Sequence, residues 1–335
     1  MNDPIIPPLA PVALHHALIT WQQQNGRHDL PWQQQPTPYS VLVSEIMLQQ
    51  TQVATVIPYY QRWLEKFPNF ESLAAASEDD VLALWQGLGY YSRARNLHRA
   101  AQFVVAERGG ILPPCSEQLR EVPGVGPYTA GAICAFAFDH PAPLVDGNVT
   151  RFFSRYFGIT GDVTSSRVSK HIWQLADDYT PPQNNRVYAQ ALLDMGATVC
   201  TPSQPQCHGC PVQSSCNAWQ TDRVLQLPEK KKKAPIPTRA GWFGLDVDPT
   251  GVVLVQRDAA AVWPRLWCLP EFTEQPTKLE LHGEFRHTFS HYKLNAQVFT
   301  YQAAADSRRV PWQELTDYAL PTPIRRYLMA LKKKL

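Results

Sequence analysis

The chain has 335 residues, 44% of them apolar and 18% charged, and carries a net charge of +2. That length supports two or three domains with cores of their own, and the composition excludes a disordered or collagen-like chain. No stretch approaches the eighteen consecutive apolar residues of a membrane span, and the start, Met1-Asn2-Asp3-Pro4, lacks the basic flank and apolar run of a secretory signal.

These features lead us to expect an intracellular protein in a reducing compartment. The charge is uneven: residues 1–229 hold two Lys, twelve Arg and nineteen acids, a net −5, and residues 230–335 a net +7. A nucleic-acid binder usually shows a basic excess, so such a role for the first part must rest on local motifs.

In chain order, apolar residues recur with helical period over 12–24, 39–49, 53–66, 79–86, 92–108, 129–138, 149–157, 166–179 and 187–199. Ser77 before Glu78-Asp79-Asp80 reads as an N-cap with acids in the first turn, and Gly109-Gly110 ends the long helix before it. Nothing there alternates with period two, so residues 12–222 are predicted to be mostly α.

The segment over 39–49 is apolar on almost every side of Glu45, with Val41 and Leu42 preceding it on its own face and Leu48 following. A carboxyl in such a place is desolvated, stays protonated and can donate a proton. The plainer reading is a helix-edge Glu paired with an Arg. Arg93, Arg95 and Arg99 form a basic row on the helix over 92–108, which suits either DNA or a solvated face.

Leu119 to Ala130 places Gly124 and Gly126 between two helical segments. Both glycines allow positive φ and close backbone approach, and Pro127 fits the first position of the next helix. Free N–H groups at that helix start suit a phosphate oxygen, although such a turn is also common as a plain connection. In Pro143-Leu144-Val145-Asp146-Gly147-Asn148-Val149, Asp-Gly is ordinary turn chemistry and Asn148 a good N-cap, yet Asp146 could also stand as an anion beside a reacting cation.

Cys200, Cys207, Cys210 and Cys216 crowd into seventeen residues. Four thiolates with short spacers suit an iron–sulfur cluster or a structural zinc, whereas disulfides would be spread along the chain. Zinc sites more often pair two Cys-x2–4-Cys knuckles, and only one such knuckle is present.

From Leu227 to Pro237 the chain is charged and Pro-interrupted, like an exposed linker. Strand-like pieces follow at 241–247, 252–257, 281–287 and 294–301, with a turn at 248–251 and a final helix over 323–333, which together make a smaller α+β domain.

Residues 44–51, 87–96 and 145–149, together with the hairpin and the cysteine loop, resemble the MutY family of adenine DNA glycosylases, of the endonuclease III superfamily, over residues 12–222. The resemblance implies a two-part helical, helix–hairpin–helix catalytic domain over 1–228, a linker over 229–238, and a Nudix-like domain over 239–335. It further implies a 4Fe–4S cluster on the four cysteines and a monomeric, cytoplasmic bacterial enzyme without a membrane partner. That enzyme would bind double-stranded DNA carrying adenine opposite 8-oxoguanine or guanine and hydrolyse the adenine–deoxyribose bond.

In that family the counterpart of Glu45 protonates adenine and that of Asp146 stabilises the sugar cation, while those of Tyr128 and Asn148 hold the catalytic groups in place. By the same resemblance Leu30, Trp32, Leu48 and Gln190 line the adenine pocket. Gln50 and Tyr90 wedge into the base stack, with Thr51 and Leu88 beside the opposite base. The loop Phe289-Ser290-His291 resembles the segment that reads 8-oxoguanine, and Trp267 to Phe272 also resembles the Nudix-like domain. No Glu-rich Nudix catalytic helix is visible, so this copy is expected to bind and not to hydrolyse.

Bifunctional relatives carry a nucleophilic lysine at the position held here by Tyr128. Before residue 230 only Lys66 and Lys170 occur, so a water-using, monofunctional enzyme is expected.

Overall fold

The structure is a computed structural model that describes residues 7–231, 235–258 and 261–334. The first four residues, and Lys232, Lys233 and Ala234 of the expected linker, lie outside the described residues.

The helices of the first part are α1 (Pro11–Asn25), α2 (Pro31–Gln34), α3 (Pro38–Leu48), α4 (Val53–Lys66), α5 (Phe70–Ala74), α6 (Glu78–Leu84), α7 (Ser92–Arg108), α8 (Ser116–Leu119), α9 (Pro127–Phe138), α10 (Gly147–Tyr156), α11 (Ser166–Asp178), α12 (Asn185–Asp194) and α13 (Asn217–Gln220). The second part contains β1 (Thr238–Leu245), β2 (Gly251–Val253), β3 (Val255–Gln256), β4 (Trp267–Cys268), β5 (Glu271–Phe272), β6 (Leu281–Thr288), β7 (Lys293–Thr300), β8 (Arg309–Pro311) and α14 (Thr322–Lys332). Among the described residues no helix is long and apolar enough to cross a membrane.

Contacts divide the chain into two compact units: Met1–Ala74 with Arg99–Lys232, and Ala75–His98 with Lys233–Leu335. A boundary near residue 228 alone therefore misses an exchange, because residues 75–98 cluster with the sheet-bearing unit. The reason is specific hydrogen bonding: Gln86 Nε2 donates to Tyr318 O at 3.0 Å, Tyr91 Oη to Leu320 O at 3.1 Å, and an Arg95 Nη to Pro264 O at 2.9 Å.

In the helical unit, α3 and α9 are the most apolar elements and pack side by side, with α12 against both α9 and α1. Every residue of α3 from Tyr39 to Met47 is buried. Such an all-round apolar helix belongs at the centre of a core and not at its surface. The expected helix over 187–199 is α12 followed by one wider π-helical turn, Met195–Val199. Within that turn Gly196 passes close to the start of α10: a Cβ there would lie 2.3 Å from the Asn148 Cβ, so only glycine allows the approach.

In the second unit β1 lies between β5 and β7, with β6 at the far edge; β1 and β7 run parallel and the other pairs antiparallel. One face packs Phe243, Leu245, Val298 and Leu294 against Ile324 and Leu328 of α14. The strand expected over 252–257 splits because β2 pairs with β8 while β3 pairs with β4. Strands β4, β5 and β8 have two or three residues each, too few to show alternation in sequence.

The linker is anchored at both described ends. The Leu227 carbonyl accepts from Arg155 Nε, the Glu229 carbonyl from Val163 N, and the Pro237 carbonyl from Lys293 N.

Candidate active site and cysteine pocket

One cavity of about 760 Å³ opens in the helical unit, and ten of the sequence-predicted residues line it: Glu45, Asp146, Tyr128, Asn148, Leu30, Trp32, Leu48, Gln190, Gln50 and Thr51. They come from five places in the chain. The segment around α2 supplies Leu30 and Trp32, whose rings and methyls are buried; Trp32 is held edge-on against Tyr60 at 5.6 Å. The C-terminal half of α3 and the turn after it supply Glu45, Leu48, Gln50 and Thr51. Gln50 sits at φ 56°, a left-handed conformation that a non-glycine residue rarely adopts, so this turn is constrained.

Glu45 is 5% exposed. Burial pushes its carboxyl up from 4.5 to about 7; the Tyr128 hydroxyl that hydrogen-bonds it pulls in the opposite sense, and the neighbouring Asp146 charge adds to the rise. Tyr128, from the first turn of α9, is itself held well above the ordinary phenol range by burial and by these two carboxyls.

Asp146 is the N-cap of α10. Its Oδ1 accepts from Asn148 N and Val149 N, both at 2.8 Å, and its Oδ2 accepts from Asn148 Nδ2 at 2.8 Å. The cap is thus Asp146, not Asn148: Asp146 immediately precedes the first helical residue, so its carboxylate reaches the free N–H groups of Asn148 and Val149, while the Asn148 side chain turns back onto it. Burial still raises the Asp146 carboxyl above its usual range, against those three hydrogen bonds and the Arg151 charge. All three contacts use oxygen lone pairs, as an ionised group requires. The same cavity therefore holds one carboxyl suited to carry a proton and one suited to stay negative.

Asn148 is fixed in turn. Its Oδ1 accepts from Arg151 Nη2 at 2.9 Å, and the same guanidinium donates to Gly196 O at 2.6 Å and Cys200 O at 2.7 Å. Arg27 and Asp194, not singled out in the sequence, belong to the same region. Arg27 lines the cavity and forms a salt bridge at 2.7 Å with the fully buried Asp194. Nothing local signals this pair, because its members are 167 residues apart.

Gly124, at φ 80°, makes the turn between α8 and α9. Gly126 adopts φ −91° and ψ 179°: of the two glycines that allow a positive φ, only Gly124 uses it, and Gly126 is the extended N-cap of α9, which any residue could occupy conformationally. It is exposed, and a Cβ there would meet nothing within 4 Å, so the start of α9 is open at the surface.

In the other unit Tyr90 is 49% exposed at φ 49°, flanked by Gly89 at φ 73°. Arg93 lies over the Tyr90 and Trp85 rings and donates to the carbonyls of Leu88 and Gly89. This fixes the loop that presents the tyrosine, whereas Leu88 is buried. Ser290 and His291 are exposed and Phe289 half-buried just after β6, in a turn closed by Phe289 N donating to Tyr292 O at 2.9 Å.

Cys200, Cys207, Cys210 and Cys216 line one small pocket together with Phe152, Arg155 and Tyr156 of α10. Among the described residues no three His, Cys, Asp or Glu side chains converge on a single metal ion. Arg155, 2% exposed, donates to Cys200 Sγ at 3.3 Å and to the carbonyls of Thr201 and Pro202, so a buried cation faces the thiols.

A model of the HhH-GPD superfamily of base excision DNA repair proteins matches residues 43–178, and a NUDIX domain model matches residues 242–330. Adenine DNA glycosylase of Buchnera aphidicola (subsp. Baizongia pistaciae) is 33% identical, covering 96% of this chain and 97% of its own. The mouse protein of that name is 36% identical over 94% of this chain and 77% of its own. Among solved structures, a thermostable thymine-DNA glycosylase superposes with a TM-score of 0.58 and 28% identity, covering 63% of this chain and 97% of its own. The mostly helical first part with a small Nudix-like sheet domain is the architecture these matches describe, and the chain belongs to the MutY-type adenine DNA glycosylases, N-glycosyl hydrolases of base excision repair.

Proposed function

We propose that this enzyme removes adenine paired with 8-oxoguanine or guanine in duplex DNA, with Glu45 as general acid and Asp146 as the anion that steadies the sugar. One observation carries the reading: a carboxyl held near pKa 7 by burial shares a cavity with a carboxylate that accepts three hydrogen bonds. Adenine leaves as a neutral base only if a ring nitrogen gains a proton as the glycosidic bond breaks. Glu45 supplies that proton and the bond's electron pair goes to the base. The positive charge left at C1′ and the ring oxygen faces Asp146. Water then adds at C1′, its proton passing to the Glu45 carboxylate, which restores the acid.

Leu30, Trp32, Leu48 and Gln190 would enclose the extruded base. Tyr128 and Asn148 would hold the two carboxyls, Gln50 and Tyr90 would fill the gap left in the stack, and Thr51 and Leu88 would lie beside the opposite base. The open start of α9 at Gly124 and Gly126 suits a phosphate. A flipped purine pays its unstacking cost through such contacts.

Single-turnover excision on duplexes with adenine opposite 8-oxoguanine, guanine or thymine tests the reading; release of a pyrimidine in place of adenine would overturn it. Borohydride added during turnover should trap no stoichiometric protein–DNA adduct at native lysines. Lys66 and Lys170 are the only lysines before residue 230, and neither lines the cavity.

Phe289, Ser290 and His291 are proposed to read the 8-oxoguanine. Since residues 75–98 bond to the unit that carries them, point variants in the full chain test this better than truncation. Phe289→Ala with Ser290→Ala should lower the rate preference for 8-oxoguanine:adenine over guanine:adenine by roughly tenfold, about what one well-made contact contributes. An unchanged preference would remove this role.

The four thiols would hold a 4Fe–4S cluster, and the donor set fits: four cysteines on one pocket, faced by the Arg155 cation. Bound there, the cluster would tie residues 200–216 to α10. Purified protein should contain four irons and four sulfides per chain, and Cys207→Ser should lose them together with solubility; one zinc per chain would contradict the assignment.

A further inference from the structure

The Asp194 carboxylate is 0% exposed and accepts at every face that its surroundings offer. Its Oδ2 takes Arg27 N at 2.9 Å, and its Oδ1 takes Arg27 Nε at 2.8 Å and Gln190 Nε2 at 2.9 Å. A second guanidinium nitrogen of Arg27 lies 2.7 Å from Oδ1. Arg27 and Gln190 both line the cavity, so a fully enclosed carboxylate stands directly behind two of its walls.

The consequence lies in the Gln190 amide. Its oxygen and nitrogen have nearly the same shape, and a free glutamine can present either to a ligand. Beside a carboxylate it cannot, because the carboxylate only accepts and the amide oxygen would be repelled. The nitrogen is therefore held at Asp194. One of its hydrogens is used there, which leaves the other hydrogen and the carbonyl oxygen as the amide's hydrogen-bonding edge.

An acceptor next to a donor matches adenine, whose exocyclic amine donates beside a ring nitrogen that accepts, on either edge that carries it. A 6-keto purine places an oxygen where the amine was, and two acceptors then meet.

We propose that Asp194 sets the base selectivity of the cavity by locking the Gln190 amide in the orientation that accepts a 6-amino purine and rejects a 6-keto one. Asp194 touches no substrate in this scheme; it is a positioning residue, and Gln190 is the reader. The inference rests on the proposal that the cavity takes adenine.

Single-turnover rates on full-length enzyme, with adenine or hypoxanthine opposite 8-oxoguanine, test it. Wild type should favour adenine. Asp194→Asn supplies a neighbour that can accept or donate, so the amide can turn over, and the adenine-to-hypoxanthine ratio should fall by roughly tenfold or more, the size of one bidentate base contact. Gln190→Met, which removes the edge and one hydrogen bond to Asp194 Oδ1 but leaves the Arg27 contacts of the carboxylate in place, should flatten the ratio by a similar factor. Joined to Asp194→Asn it should lower the ratio no further, since both act through one amide.

A purely structural role for Asp194 predicts equal rate losses on both bases, and that result overturns the lock. So does an unchanged ratio in Gln190→Met, which is readable even if Asp194→Asn does not fold. A wild type that releases adenine without preferring it over hypoxanthine also overturns the lock alone. One that releases no adenine from any duplex takes down the proposed function and this inference together.

Discussion

Glu45→Gln is expected to lose at least ~100-fold in the single-turnover rate of adenine release, the lower end for removal of a positioned general acid. The amide keeps the shape and can still meet the Tyr128 hydroxyl, but it has no acidic proton to give. The side chain is enclosed by the apolar face of α3 and is 5% exposed, so bulk acid has poor access to replace it.

The pH dependence follows from the raised pKa. In wild type the protonated fraction falls about tenfold per unit above pH 7, so the rate should decline there, while the Gln variant should lack that limb. Stability runs in the same direction. Because the folded-state pKa is raised, the stability associated with neutral Glu45 is full below 4.5 and is lost as the pH rises through 7. Glu45→Gln should therefore melt no lower than wild type above pH 7, and a rate loss there cannot be assigned to unfolding.

Asp146→Asn is expected to lose between ~100- and ~1000-fold, as when a group that stabilises transition-state charge is removed. The substitution separates charge from architecture. Asparagine is as good an N-cap as aspartate, so α10 should persist with at most ~1 kcal/mol of lost stability. The acceptor at Oδ1 for Asn148 N and Val149 N survives. What disappears is the negative charge and the acceptor at Oδ2, where an NH2 group would meet Asn148 Nδ2, itself held in place because its oxygen serves Arg151. A variant that folds, melts near wild type and still excises at full rate would show that Asp146 is a cap and nothing more.

The two carboxyls differ in how far the sequence reveals them. Glu45 was legible because α3 is apolar in every direction: whichever way the helix turns, position 45 faces core, and burial of a carboxyl follows from the pattern alone. Asp146 was not. Asp-Gly-Asn is consistent with a turn or a cap, and it is both; its approach to Glu45 depends on α3 packing against α9 and α10 starting beside them, contacts between segments a hundred residues apart. Only the family resemblance linked the two in advance.

The same limit hid Arg27 with Asp194, and the bonding of residues 75–98 to the sheet-bearing unit, since a boundary read along the chain cannot represent an exchanged segment. Local chemistry left smaller matters open. Two glycines in one turn each allow a positive φ, and the structure uses it at Gly124 alone, with Gly126 an extended cap. The helix over 187–199 carried an unbroken apolar period, yet its last turn is π-helical, with Gly196 packed against Asn148.

The proton on Glu45 is the point on which the chemistry turns, and the infrared difference spectrum between wild type and Glu45→Gln, titrated from pH 4 to 9, reports it without any DNA present. A protonated-carboxyl band that belongs to Glu45 and disappears with a midpoint near 7 is the expected result. A side chain already ionised at pH 5, with no such band above it, would contradict the account.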